Sequence, residues 1–276
     1  MYNLLRGEIY KLFRSKCLYF CGVAVLLCTL GVYAMFSTAD AVKRGELQNG
    51  NYGVTVSVEG ELQEGSNLWD RLPIETFMEA AHGVIGIFIF TAFSAIYMHD
   101  IYANGAVKNM VGKGYERHVV FTSKYLATIF GCFVIEVMRI ISVIVCDYIY
   151  VGACRVGVDN LSGLLGYACV QFLLEAAFAG IVIMIGQICR NLGMSIVISF
   201  GVMFFSEMIS LGINLIFKYF KVDIDVCKYF ITDLIGEYPC GAMNGEFIVR
   251  AIVCAIVWSA LAFTFGNIHF RKVDVK

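Results

Sequence analysis

Proline and charge are the scarcest resources of this chain. Only Pro73 and Pro239 interrupt 276 residues, and Asp, Glu, Lys and Arg together make up 16%. Hydrophobic residues reach 59%, aromatics 14%, and the mean hydropathy is +0.75. That is too much apolar surface for one water-soluble core, so the class is an integral membrane protein. The net charge of −1 excludes a bulk electrostatic case for nucleic acid or an acidic substrate. A G-x-x-x-x-G-K-[ST] phosphate loop is absent, so the chain carries no nucleotide machinery of that kind. A converging catalytic set is absent too, and no catalytic residue or metal ligand is assigned.

What is present is a series of long apolar runs. A helix needs roughly 20 apolar residues to cross about 30 Å of hydrocarbon while satisfying its own backbone. Six segments meet that requirement: 17–36, 77–99, 118–151, 161–188, 194–217 and 247–270. They predict an all-α membrane protein forming a single transmembrane domain over 1–276. Lys and Arg collect in 1–16, in the loop between spans two and three, at Arg190 and at the C-terminus. The acids concentrate in the segments 37–76 and 218–246. By the positive-inside rule both termini are expected in the cytoplasm and those two segments outside, in a cell membrane.

Residues 1–16 lack the apolar core and cleavage site of a secretory signal. As a helix they place Leu4, Leu5, Ile9, Leu12 and Phe13 on one stripe, with Glu8, Lys11 and Arg14 among the polar positions. The pattern suits a helix lying in the membrane interface. In the first outer segment Val54, Val56 and Val58 alternate with polar residues, a strand pattern.

The polar, basic hairpin 99–124 sits between two apolar runs. Asp100, then Gly105-Ala106-Val107-Lys108-Asn109-Met110-Val111, then Arg117 and Lys124, resemble the pattern of permeases in the ABC-2 family of ATP-driven exporters. LLRGEIYKLFRSK at the start resembles the same family's opening. The two motifs cover about a seventh of the chain, and Ala106 and Glu116 depart from the commoner residues. The resemblance implies an ABC-2 (type V exporter-like) fold with a coupling helix near Tyr102 to Val111 that docks on a separate ATPase. Asp100, Tyr102, Gly105, Val107, Lys108, Asn109, Met110 and Arg117 are the implied coupling residues. Two ATPase copies carrying ATP and Mg, and a second permease copy or sister permease, are the implied partners. The cargo would be an antimicrobial peptide, an antibiotic or a lipid-like molecule. A solvated positive loop in a secondary transporter or other polytopic membrane protein is the alternative. A secondary carrier commonly shows repeated halves, which spans one to three and four to six do not.

Ionisable side chains inside spans are costly and therefore informative. Glu136 and Arg139, three apart, can pair on one helix; Glu175 and Glu207 stand alone in spans four and five. They are read either as pathway or interface groups, or as internally neutralised ones, with Glu136 on Arg139 and the other carboxyls bonded to hydroxyls or protonated. Glu79 and His82 form a Glu-x-x-His unit, but a dimetal site needs a second one, and a satisfied polar pair is the plainer reading. The eleven cysteines contain no C-x-x-C and read as small apolar filler; Cys227 and Cys240 share an outer loop where a disulfide could form.

Overall fold

A computed structural model describes residues 2–43, 74–82, 84–103, 106–151, 158–189, 191–220, 226–237 and 244–272. Every regular element among them is helical: α1 (Tyr2–Arg14), α2 (Lys16–Lys43), α3 (Ile74–His82), α4 (Val84–Ala103), α5 (Ala106–Gly112), α6 (Arg117–Val151), α7 (Val158–Cys189), α8 (Leu192–Tyr219), a 3-10 turn (Val226–Tyr229), α9 (Ile231–Glu237) and α10 (Gly245–Lys272). Among the described residues six segments are long and apolar enough to cross a membrane: Lys16–Thr38, Ala80–Asp100 (the end of α3 and most of α4), Arg117–Tyr150, Ser162–Cys189, Leu192–Tyr219 and Gly245–Arg271. Their ends fall within a few residues of the spans read from sequence. The alternating segment around Val54, Val56 and Val58 lies outside the described residues.

Local chemistry sets the helix ends. Ser15 breaks α1 from α2: its Oγ donates to the Leu12 carbonyl at 2.7 Å and accepts from the Leu18 amide at 3.4 Å. Gly114 closes α5 in the left-handed region at φ 85°, while the Gly114 and Tyr115 amides return to the carbonyls of Val111 and Met110. Asn191 caps α8 by accepting from the Gly193 amide at 3.0 Å.

α7 forms the centre of the bundle. Its run from Leu174 to Gly180 is buried throughout, with small side chains at Ala176, Ala177 and Ala179 that let α4, α6 and α10 come close. α8 and α10, by contrast, turn most of their large side chains outward, Phe204, Phe205, Met208 and Leu215 among them. Such an apolar exterior is what a lipid solvent tolerates and water does not.

α1 is turned differently from the stripe expected of it. Leu4, Glu8 and Leu12 face the bundle, whereas Tyr2, Tyr10 and Phe13 are exposed. Leu12 is sealed beside Phe93 and Cys132 in the cluster of α1, α2, α4 and α6. The physical reason is that a basic partner on α6 draws Glu8 inward, rotating the helix about a carboxylate rather than about its apolar sum. Leu12→Ala is expected to destabilise the chain by about 2–5 kcal/mol through a core cavity. Phe13→Ala, one residue on, is expected to cost well under half of that. Unfolding midpoints in detergent or nanodiscs check this, and equal losses would contradict the observed rotation.

Candidate functional site

Two polar constellations stand out against the apolar helices. The first lies where α1 meets α6 and α4. Glu8 is buried, and its carboxylate accepts from Lys124 Nζ at 2.7 Å and Lys11 Nζ at 2.8 Å. Lys124 sits 4.2 Å over the Tyr97 ring, and the Tyr97 hydroxyl donates to the Glu8 carbonyl at 3.1 Å. Burial alone would raise the Glu8 carboxyl, but Lys124 and Lys11 outweigh it and hold the group below the ordinary carboxylate range.

The second constellation lies in the interior, built from α3, α6 and α7. Arg139 is fully enclosed and donates in fork geometry to Glu175, Nη1 to Oε1 and Nη2 to Oε2, both at 2.9 Å. Its Nη2 is also 3.4 Å from Glu136 Oε2, and its guanidinium lies 5.0 Å over the Phe90 ring of α4. The other oxygen of Glu136 meets His82 Nε2 at 2.7 Å, and His82 Nδ1 meets the Met78 carbonyl at 2.8 Å. Glycine at position 86 leaves the room this requires: a Cβ there would stand 2.8 Å from Arg139 Nη1 and 3.0 Å from Glu175 Oε1.

The geometry amends two readings made from spacing. The Glu136–Arg139 contact exists, but each has a closer partner elsewhere, Glu175 for Arg139 and His82 for Glu136. Glu175 is not a carboxyl left to hydroxyl partners; it holds the guanidinium. His82 turns to Glu136, 54 positions away, which puts it in the cluster, and the side chain of Glu79 lies outside the described residues. Glu207 is on α8, with its side chain likewise outside them. Lys124, part of the basic hairpin in sequence, is buried against Glu8.

The hairpin residues are placed in part. Asp100 is exposed near the end of α4, which also contains Tyr102; Gly105 lies outside the described residues, as do the side chains of Tyr102 and Lys108. In α5, Val107 is buried with Leu4, Met98, Val120, Phe121 and Phe270, Met110 is half-buried, and Asn109 is exposed. Arg117, at the start of α6, donates to the Arg271 carbonyl of α10 at 3.2 Å. Lys11 is exposed along its length but returns to Glu8, and Arg14 lies over the exposed Tyr10 ring. Among the described residues no group of three or more His, Cys, Asp or Glu is arranged to hold a metal ion. The Cys227 side chain and Cys240 lie outside the described residues.

Among the described residues the fold is all-helical, with six helical segments long and apolar enough to span a membrane, which defines the chain as a multi-pass membrane protein. No protein-family model matches it, and no curated protein is recognisably similar to it in sequence.

Removing one member of a buried ion pair strands the other, at about 3–5 kcal/mol, whereas removing both relieves the penalty. Arg139→Ala and Glu175→Ala are therefore each expected to cost several kcal/mol, and the double variant clearly less than their sum, in a double-mutant cycle read by unfolding. Strict additivity would mean the fork contributes no coupling. At the first constellation the sign with pH follows from the lowered Glu8 carboxyl. The unfolded chain binds that proton more tightly, so the pair's contribution is present above the unfolded value of about 4.3 and fades as pH falls through the lower folded one. The stability gap between the parent chain and Glu8→Gln is expected to be widest near pH 7 and to shrink below about pH 4. A gap unchanged down to pH 3 would contradict the assignment.

Proposed function

We propose that this chain is the permease subunit of an ATP-driven exporter of the ABC-2 type, which moves an amphipathic or hydrophobic compound out of the membrane using a separate ATPase. The observation that supports it best is α5. A seven-residue helix stands between the second and third apolar helices, in the stretch whose residues resemble that family's coupling segment. Val107 anchors it to the bundle while Asn109, Gly112 and Lys113 stay exposed, so one side is fixed and another is free to meet a partner. A coupling element must have both properties: an unanchored loop transmits no movement, and a fully buried helix meets no ATPase.

In this reading both termini and α5 face the cytoplasm of a multi-pass plasma-membrane protein, and α1 lies in the inner interface. Its exposed Tyr2, Tyr10 and Phe13 match the aromatic belt of a membrane boundary. Two ATPase copies supply ATP and Mg chemistry, and a second permease copy or sister permease completes the pathway. The cargo is an antimicrobial peptide, an antibiotic or a lipid-like molecule. A second reading, a transporter without ATP coupling, is favoured by one observation, the ionisable cluster inside the bundle.

Co-expression with candidate ABC-type ATPase subunits separates the two readings. The expected result is a detergent-stable complex that turns over ATP, while the chain alone turns over none. Lys108→Glu with Met110→Glu is expected to reduce recovery of the complex at least several-fold, since a desolvated carboxylate is placed at a partly apolar contact. Unchanged recovery and transport in that variant would remove α5 from the coupling role.

A further inference from the structure

The hydrogen-bond geometry of His82 fixes how many protons its pair with Glu136 must hold. Nδ1 lies 2.8 Å from the Met78 carbonyl oxygen. A carbonyl has no hydrogen to give, so Nδ1 carries one and donates. Nε2 lies 2.7 Å from Glu136 Oε1. Two electron-rich atoms at that distance need a hydrogen between them. Either an imidazolium donates to a carboxylate, or a carboxylic acid donates to a neutral imidazole. Both states contain one proton more than a neutral imidazole beside a carboxylate.

We propose that the His82–Glu136 pair is a proton-binding site in the interior of the bundle, holding one exchangeable proton between α3 and α6. The proposal stands whether or not the chain works with an ATPase. The surrounding charges require the proton. Arg139 and Glu175 already cancel each other through their two 2.9 Å bonds. Without the extra proton, Glu136 would leave the cluster with one uncompensated negative charge, its second oxygen reaching Arg139 only at 3.4 Å. α6 contributes Glu136 and Arg139, with the buried thiol of Cys132 one turn before Glu136, 3.7 Å from the Ser94 hydroxyl, and Asp147 buried three turns further on. α7 contributes Glu175, through Arg139, and the edge of Tyr167 at 5.2 Å from the imidazole. α2 contributes Tyr33, which is stacked on Phe77 and donates to the Val143 carbonyl. α4 contributes Gly86 and Phe90, which do not titrate.

A narrow cleft between Cys28 and Thr29 of α2 and Ala81, the neighbour of His82, reaches Arg139, which also contacts Glu136. The Thr29 hydroxyl in its wall is bonded to that of Ser142 at 3.1 Å. Movement of α3 away from α6 would part the imidazole from the carboxylate. The shared proton would then stay with one of them or be released. Proton concentration and the position of α3 are thereby linked.

The test uses the full chain, reconstituted in nanodiscs with ¹⁵N-labelled histidine. Its His82 signals are assigned by their loss in His82→Gln. At pH 8 the expected result is either a doubly protonated His82 or an Nδ1-protonated one accompanied by a protonated-carboxyl infrared band that disappears in Glu136→Gln. A neutral His82 with Glu136 ionised would overturn the proposal. The second readout is reversible unfolding in mixed micelles. Above pH 7 the solvated imidazole and carboxylate of an unfolded chain hold no extra proton. The folding constant of the parent should therefore fall about tenfold per pH unit relative to Glu136→Gln, whose amide can donate to Nε2 without any added proton. Parallel pH profiles for the two chains would also overturn it.

Discussion

The fork between Arg139 and Glu175 is the contact on which the rest of the bundle depends. In lipid, apolar side chains gain little by choosing one helix neighbour over another, because hydrocarbon tails solvate them equally well. Directional polar contacts and close backbone approach must therefore decide register. A guanidinium with two 2.9 Å bonds to one carboxylate allows α6 and α7 almost no sliding or rotation. Phe90 beneath the guanidinium and the bare backbone of Gly86 then fix α4 against both. Desolvating two ions costs several kcal/mol each, so the fork's contribution lies in specifying one arrangement more than in net stability.

Charge neutrality extends that constraint to α3. The cluster contains two carboxyl groups and one guanidinium, and the proton proposed between His82 and Glu136 is what balances it. α3 is short and could not hold its place in the bundle by length alone; Phe77 and Met78 pack it, and His82 ties its last turn to Glu136. The same logic governs α1, a separate helix joined to the bundle by Leu4, Leu12 and the enclosed Glu8–Lys124 pair. In both cases a carboxylate with a distant basic partner positions an element that hydrophobic packing alone would leave free to rotate.

The helices were legible from sequence because their signal is local: about 20 apolar residues in a row announce a membrane-length helix without reference to anything else. The polar clusters were legible only where partners lie within a turn. Glu136 and Arg139, three apart, were readable as a contact. Glu175 lies 36 positions from Arg139 and Lys124 lies 116 from Glu8, and no periodicity encodes those distances. α1 shows the consequence. Its apolar stripe predicts that Leu12 and Phe13 face together, yet the pull of Lys124 on Glu8 separates them, with Leu12 enclosed and Phe13 at 45% exposure. The one available signal for the interior cluster was isolation itself, since an ionisable residue in an apolar span must find a partner somewhere.

α6 connects these features. Near its start Val120 and Phe121 hold Val107 of α5, and one turn on Lys124 holds Glu8 of α1; Glu136 and Arg139 follow on the same helix. From Phe121 to Glu136 is about 22 Å at the helical rise. No proline interrupts α6, so a tilt imposed at α5 reaches the ionic cluster without being absorbed by a kink. The cluster in turn has few intermediate positions. A fork at hydrogen-bond distance weakens steeply when its geometry is lost, and a buried carboxylate parted from its proton or its cation is expensive. A rigid rod ending in a contact that is either made or broken converts a graded push at one end into a two-position response at the other. In the permease reading proposed above, that conversion is the step that would link an external push to the interior of the bundle.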